Sequence, residues 1–183
     1  MRTYRYESQM SEIKKDRANG VIFLAGPTVR GHQQHLQPSW RFEATRLIDD
    51  TGYDGSVIIP EFNNISESDQ HRNELPRWEM EGMTLADVIM FWVPRTKELI
   101  ALTTNFELGY WLARDRAKVL YGRPDGAYRT DYLDNIWEYD LEICQSVFPV
   151  TKIFNELGDL VNATVQEVKD RLEFERKYLS EKR

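Results

Sequence analysis

The chain has 183 residues, room for one domain with a proper core and too few for two ordinary ones. Its 24 basic residues stand among 30 acidic ones, and that balance argues against duplex nucleic acid as a partner, because backbone binding needs a basic face. The single cysteine, Cys144, excludes an intrachain disulfide and a cysteine-rich metal site, and no apolar run approaches the length of a membrane span.

Residues 1–20 read as a polar N-terminal arm, partly helical and too charged for a secretory signal, so the expected address is the cytoplasm. Residues 21–183 read as a single α/β domain with a helical C-terminal extension from about residue 140. Val21 to Ala25 is a short apolar run stopped by Gly26-Pro27, the pattern of a buried parallel strand. Trp40, Ala44, Leu47 and Ile48 then fall at helical spacing, with Ser39 placed to cap the start and Gly52 beyond the end. Val57 to Ile59 is a second strand, ended by Pro60, and Leu75 to Leu85 predicts a helix with Pro76 in its first turn. Val88 to Val93 is the strongest strand, stopped by Pro94, and Thr103 to Arg114 follows as a helix. Val119 to Tyr121 is a fourth strand, Ser146 to Phe154 should hold a fifth, and a charged helix runs from Leu157 to Leu179.

Strands alternating with amphipathic helices predict an α/β three-layer, flavodoxin- or Rossmann-like fold, with a five-stranded parallel sheet in the order 2-1-3-4-5. Ligands of such sheets bind beyond the carboxyl ends of the strands, at the switch point of the strand order. The segments after Ala25, Ile59, Val93 and Tyr121 should therefore converge on one cleft. Gly26, Pro27, Thr28 and Arg30 offer close backbone approach and donors there, although the loop is neither GxGxxG nor a P-loop and equally fits a plain strand-to-helix turn. Glu107 sits in the first turns of its helix, where a carboxylate serves either chemistry or the helix dipole. Glu79 supplies a second carboxylate on the preceding helix, and Glu61 could reach the rim. Asp87 starts a strand at the far edge and reads as structural. Trp40 and Trp92 are the tryptophans best placed to stack on a base. His32, His35 and His71 carry no metal-ligand spacing, so no metal is expected.

Four pieces in order, Ile22 to Pro27, Ser39-Trp40-Arg41, Trp78-Glu79 ahead of Ala86-Asp87, and Asn105 to Gly109, resemble the nucleoside 2-deoxyribosyltransferase family and the related deoxynucleotide N-glycosidases. The resemblance implies Glu107 as nucleophile and Glu79 as the acid that contacts and protonates the base. It implies a substrate pocket drawn from Gly26, Pro27, Thr28, Trp40, Arg41, Glu61, Trp92 and Asn105. It further implies a nucleoside or nucleotide and a free nucleobase as partners, no cofactor, and a homo-oligomer. Phe23 stands where well-known members carry a Tyr that orients the nucleophile, and Ala101 where they carry an Asp that holds a sugar hydroxyl. Two other readings share the fold: a glycohydrolase of a larger nucleotide, and a nucleotide-sensing or interaction domain without turnover.

Overall fold

Val21–Ala25 (β2), Ser56–Ile58 (β3), Val88–Trp92 (β4) and Val119–Gly122 (β5) form at the four apolar runs, and every residue in them is buried. A strand hidden on both faces needs no polar alternation, and parallel pairing under helical cover produces that burial. The computed structural model describes residues 1–6, 8–29, 38–62, 74–144 and 152–181, with the side chains of 140–144 excepted. Arg30, His32, His35, His71 and residues 146–151 of the expected fifth strand lie outside the described residues.

With Arg2–Tyr4 as β1, the sheet has five strands among the described residues, all parallel, in the order β1-β3-β2-β4-β5. Four of them take the order expected from the sequence; the fifth corrects it. Arg2–Tyr4 (β1) lies on the outer edge of β3, inside the stretch read as a polar arm. Only Tyr4 of its three residues is buried, as suits an edge strand whose outer side faces water. At the opposite edge, Phe154 makes a single parallel bridge to Gly122 where a full strand was expected.

The helices divide by the alternation of the strands. Phe23, Ile89, Phe91 and Tyr121 point to one face, packed with Ile13, Met83, Leu108, Trp111 and Trp137. These come from Met10–Lys15 (α1), Leu75–Leu85 (α3), Thr103–Asp115 (α4) and Asp131–Cys144 (α5). Ile22, Leu24, Met90 and Leu120 point to the other face, packed with Trp40, Ile48, Leu160, Val165 and Val168. These belong to Trp40–Asp50 (α2) and Leu157–Glu181 (α6), so the first turns of α6 are built into the core. Asp87 is structural, as expected: it accepts from the Val21 amide at 2.8 Å and from Arg17 at 2.6 Å, tying the starts of β2 and β4 together. Among the described residues no helix is long and apolar enough to cross a membrane.

The strand order reverses between β2 and β4, so their carboxyl ends lie side by side. Gly26 closes β2 with φ +141°, and a Cβ there would stand 2.1 Å from the Trp92 carbonyl oxygen. Backbone meets backbone at this point, and no side-chain movement can relieve the clash. Gly26→Ala is therefore expected to cost about 3 kcal/mol or more, the sum of overpacking and backbone strain. A urea titration showing a loss under about 1 kcal/mol would contradict this close approach.

Candidate functional site

The Ser39-Trp40-Arg41 motif grips the loop after β2. Ser39 caps α2, its Oγ accepting from the Arg41 amide at 3.2 Å and donating to Glu61 Oε1 at 2.6 Å. The Trp40 indole N–H donates to the Pro27 carbonyl at 2.9 Å. Arg41 is 1% exposed and spends its guanidinium on the protein itself. It donates to the carbonyls of Leu24 (3.0 Å), Pro27 (3.1 Å) and Gly26 (2.8 Å), to Thr28 Oγ1 (3.2 Å) and to Glu61 (2.9 Å). A buried guanidinium so completely paired is a clamp, and removing one partner from such a pair is costly. Arg41 and Glu61, both expected in the substrate pocket, are buried and paired with each other, and Arg41 holds the Gly26 and Pro27 carbonyls.

The two tryptophans expected as stacking surfaces are both buried. Trp40 is 9% and Trp92 5% exposed, and both pack in the core on the α2 and α6 side. The Trp40 ring packs beside the glycine turn, 3.2 Å from where a Cβ on Gly26 would stand, while Trp92 meets Gly26 through its backbone carbonyl. Gly26 and Thr28 are left half-buried at the surface of the loop.

The carboxylates arrive from the other face. In a βαβ unit the crossover helix starts near the carboxyl edge of the sheet, so the first turns of α3 and α4 lie by the switch point. Gly82 lets α3 settle on Phe23, whose ring would stand 2.9 Å from an added Cβ, and Glu79 lies one turn earlier on that same helix face. Glu107 occupies the second turn of α4, which Thr104, Leu108 and Trp111 fix against the core. Both carboxylates are half-buried.

Their protonation is coupled. Burial pushes the Glu79 carboxyl up to about 8, the negative charge of Glu107 adds to that rise, and the Arg41 cation opposes it. Burial also raises Glu107, again opposed by Arg41. The charge on Glu107 thus bears on Glu79, whose carboxyl holds its proton into neutral pH. Two neighbouring carboxyl groups with separated protonation states are the arrangement of a nucleophile or base beside an acid. Arg41 thus bears electrostatically on both carboxylates while its hydrogen bonds hold the loop.

Asn105 stands at the start of α4, where its Oδ1 accepts from Arg95 at 2.7 Å. Nothing in the sequence singled out Arg95, which is 4% exposed directly after β4. It also donates to the carbonyls of Ala101 (3.3 Å) and Arg129 (3.2 Å), two non-glycine residues at positive φ, 46° and 52°. The only sequence signal was its place after a strand-ending proline on the cleft edge. Phe23, in the place of the family's orienting Tyr, is buried at 1% against Gly82 and brings no hydroxyl to Glu107. Among the described residues no group of three or more His, Cys, Asp or Glu is arranged to hold a metal ion.

Residues 19–125, more than half of the chain, match a family model described as nucleoside 2-deoxyribosyltransferase like. No curated protein matches the chain significantly. The matched span runs from the end of the N-terminal arm to just beyond β5 and contains Gly26, Arg41, Glu79 and Glu107.

Proposed function

The chain belongs to the nucleoside 2-deoxyribosyltransferase-like family, and from that premise we propose that it cleaves the N-glycosidic bond of 2′-deoxynucleosides or their 5′-monophosphates. The observation that carries this reading is the pair of half-buried carboxyl groups on α3 and α4, both pushed up by burial, Glu79 to about 8 and further raised by the charge of Glu107.

Breaking this bond passes through an oxocarbenium-like state, and a carboxylate against the anomeric carbon stabilises the positive charge that develops there. A Glu107 oxygen attacks C1′ and the C1′–N bond breaks, its electron pair leaving with the base. Glu79 delivers its proton to the departing ring nitrogen, which typically contributes about 10²- to 10⁴-fold. The sugar is left as an ester of Glu107. A second base or a water molecule then attacks C1′ from the side opposite Glu107, the C1′–O bond to Glu107 breaks and returns its carboxylate, Glu79 takes up the proton of the attacking group, and configuration is retained overall. This scheme draws on side chains alone.

The supporting roles follow from the site. Arg95 orients Asn105 two residues ahead of the nucleophile. The half-buried amide and hydroxyl of Thr28, on the loop held by Arg41, offer donors to the sugar or its 5′ substituent.

The experiment incubates the protein with mixed deoxynucleosides, deoxynucleoside monophosphates and free bases and reads free or exchanged base by chromatography. Release without exchange identifies a hydrolase, and exchange identifies a transferase. Turnover that persists in Glu107→Ala removes the reading. Phe23 and Ala101, which depart from the well-known members, favour a second reading as a nucleotide-sensing domain; tight binding with no turnover in the wild type supports it.

A further inference from the structure

The matched family region begins at residue 19, yet the residues before it reach the site from behind. β1 is zipped to β3, and the Ile59 amide donates to the Tyr4 carbonyl at 2.8 Å. The chain then runs past the end of β3, where the Tyr6 amide donates to the Glu61 carbonyl at 3.4 Å. Arg5 places its guanidinium 3.8 Å from Glu61 Oε2, while Arg41 holds Oε1 at 2.9 Å. Glu61 is thus gripped between a cation from the arm and the cation that clamps the Gly26 loop.

A second set of contacts reaches α3. The Tyr6 ring packs on Phe62 at 4.4 Å and on Trp78 at 5.7 Å between centroids. Its hydroxyl donates to Glu74 Oε2 at 3.0 Å, at the residue preceding α3. The Trp78 indole N–H donates to the Ser8 carbonyl at 3.1 Å. Trp78 immediately precedes Glu79, so these ties hold the turn that carries the acid. Glu74 makes no side-chain cap for that turn, and the arm ties it through Tyr6 and Ser8.

We propose that Arg5, Tyr6 and Ser8 are positioning residues of the active site, fixing Glu61 behind Arg41 and the opening turns of α3 that carry Glu79. The proposal rests on the functional reading above. It makes the arm part of the catalytic apparatus although it lies outside the matched region. The groups that govern Glu79 are then Glu107 from α4 and Arg41 from α2, with Glu61, Arg5 and Glu74 setting the positions of Arg41 and α3. Tight holding of α3 keeps the Glu79 carboxyl in its half-buried place.

The test uses the full chain carrying Tyr6→Phe with Trp78→Phe, which keeps an aromatic ring at each position and removes both polar ties, and separately Arg5→Gln. Two readouts are taken beside thermal melting. One is the titration of Glu79 by carbon-13 NMR of Glu-labelled protein, assigned with Glu79→Gln; the other is kcat and KM against pH on a deoxynucleoside. In the double variant the Glu79 titration should move down from about 8 towards the ordinary carboxylate range. kcat should fall about tenfold with KM changed less, the signature of a misplaced reacting group. Arg5→Gln should lower kcat in the same sense. Should the double variant fail to fold, Tyr6→Phe alone carries the same readouts. A lowered melting temperature with Glu79 titration and kcat unchanged overturns the proposal and leaves the arm a merely structural strand. The titration needs no turnover, so a wild type inactive on every nucleoside defeats the functional reading and leaves the positioning test readable.

Discussion

Glu107→Gln is expected to abolish the covalent sugar adduct and to slow turnover by on the order of 10³-fold or more. The amide keeps the shape of the carboxylate and loses both the nucleophile and the negative charge facing the anomeric carbon. Little else should change, because Gln matches Glu in size and Thr104, Leu108 and Trp111, which seat α4 against the core, are untouched. Melting temperature should hold or rise slightly, since burial disfavours the Glu107 charge and Gln carries none. The adduct is read by rapid acid quench of wild type with excess deoxynucleoside and no acceptor base, followed by intact-protein mass spectrometry. An added deoxyribosyl group should map to the peptide containing Asn105 to Gly109. Glu107→Asp should also be poor, because a shortened arm misplaces the attacking oxygen by about 1 Å, which can cost about 10²-fold. Full activity in Glu107→Gln would remove this residue from the mechanism and leave Glu79 as the attacking group to test.

How the site could be found in the sequence, and where it could not, follows from what each residue's pattern encodes. β2, β3, β4 and β5 were legible because each is an apolar run cut by Gly or Pro, and burial on both faces leaves no other way to write them. β1 was not, because an edge strand carrying Arg2 and Thr3 on its exposed positions looks like any polar arm. The order then fixed which strand ends meet, and with it the convergence of the first turns of α3 and α4.

Arg41 shows the limit. A guanidinium beside a glycine loop can face a ligand or face carbonyls, and its sequence neighbourhood is the same in both cases. Only the fold reveals that the carbonyls of Leu24, Gly26 and Pro27 all turn towards it. Trp40 and Trp92 meet a related limit: nearness to a strand end does not say which side of the sheet a ring packs on. Arg95 gave almost no signal, since its importance comes from Asn105, Ala101 and Arg129, which only the folded loops bring to it.

The second large effect concerns Glu79 and pH. Activity requires Glu107 ionised and Glu79 protonated, so kcat/KM should follow a bell, its limbs belonging to the pair as a unit. The alkaline limb should fall near pH 8, where Glu79 gives up its proton. Glu79→Gln removes that limb, because Gln is neutral at every pH, and leaves the acid limb set by Glu107 in place. Turnover at neutral pH should drop by about 10²-fold for bases that leave poorly and by less for bases that leave readily, since only the former depend on a delivered proton. The same carboxyl makes a stability prediction whose sign is fixed by linkage. Its folded value lies above its unfolded one, so the stabilisation it lends is complete below the ordinary carboxylate range and is lost as pH rises through about 8. Across that window the wild type should lose on the order of 2 to 4 kcal/mol relative to Glu79→Gln, with the half-burial of the group holding the figure below its full linkage value. Urea midpoints at several pH values measure this directly. The wild-type midpoint should slope downward through the window and then level off, while that of the Gln variant lacks this contribution. Parallel curves for the two proteins would mean that Glu79 titrates as an ordinary surface carboxylate, and its role as the acid would fall with that result.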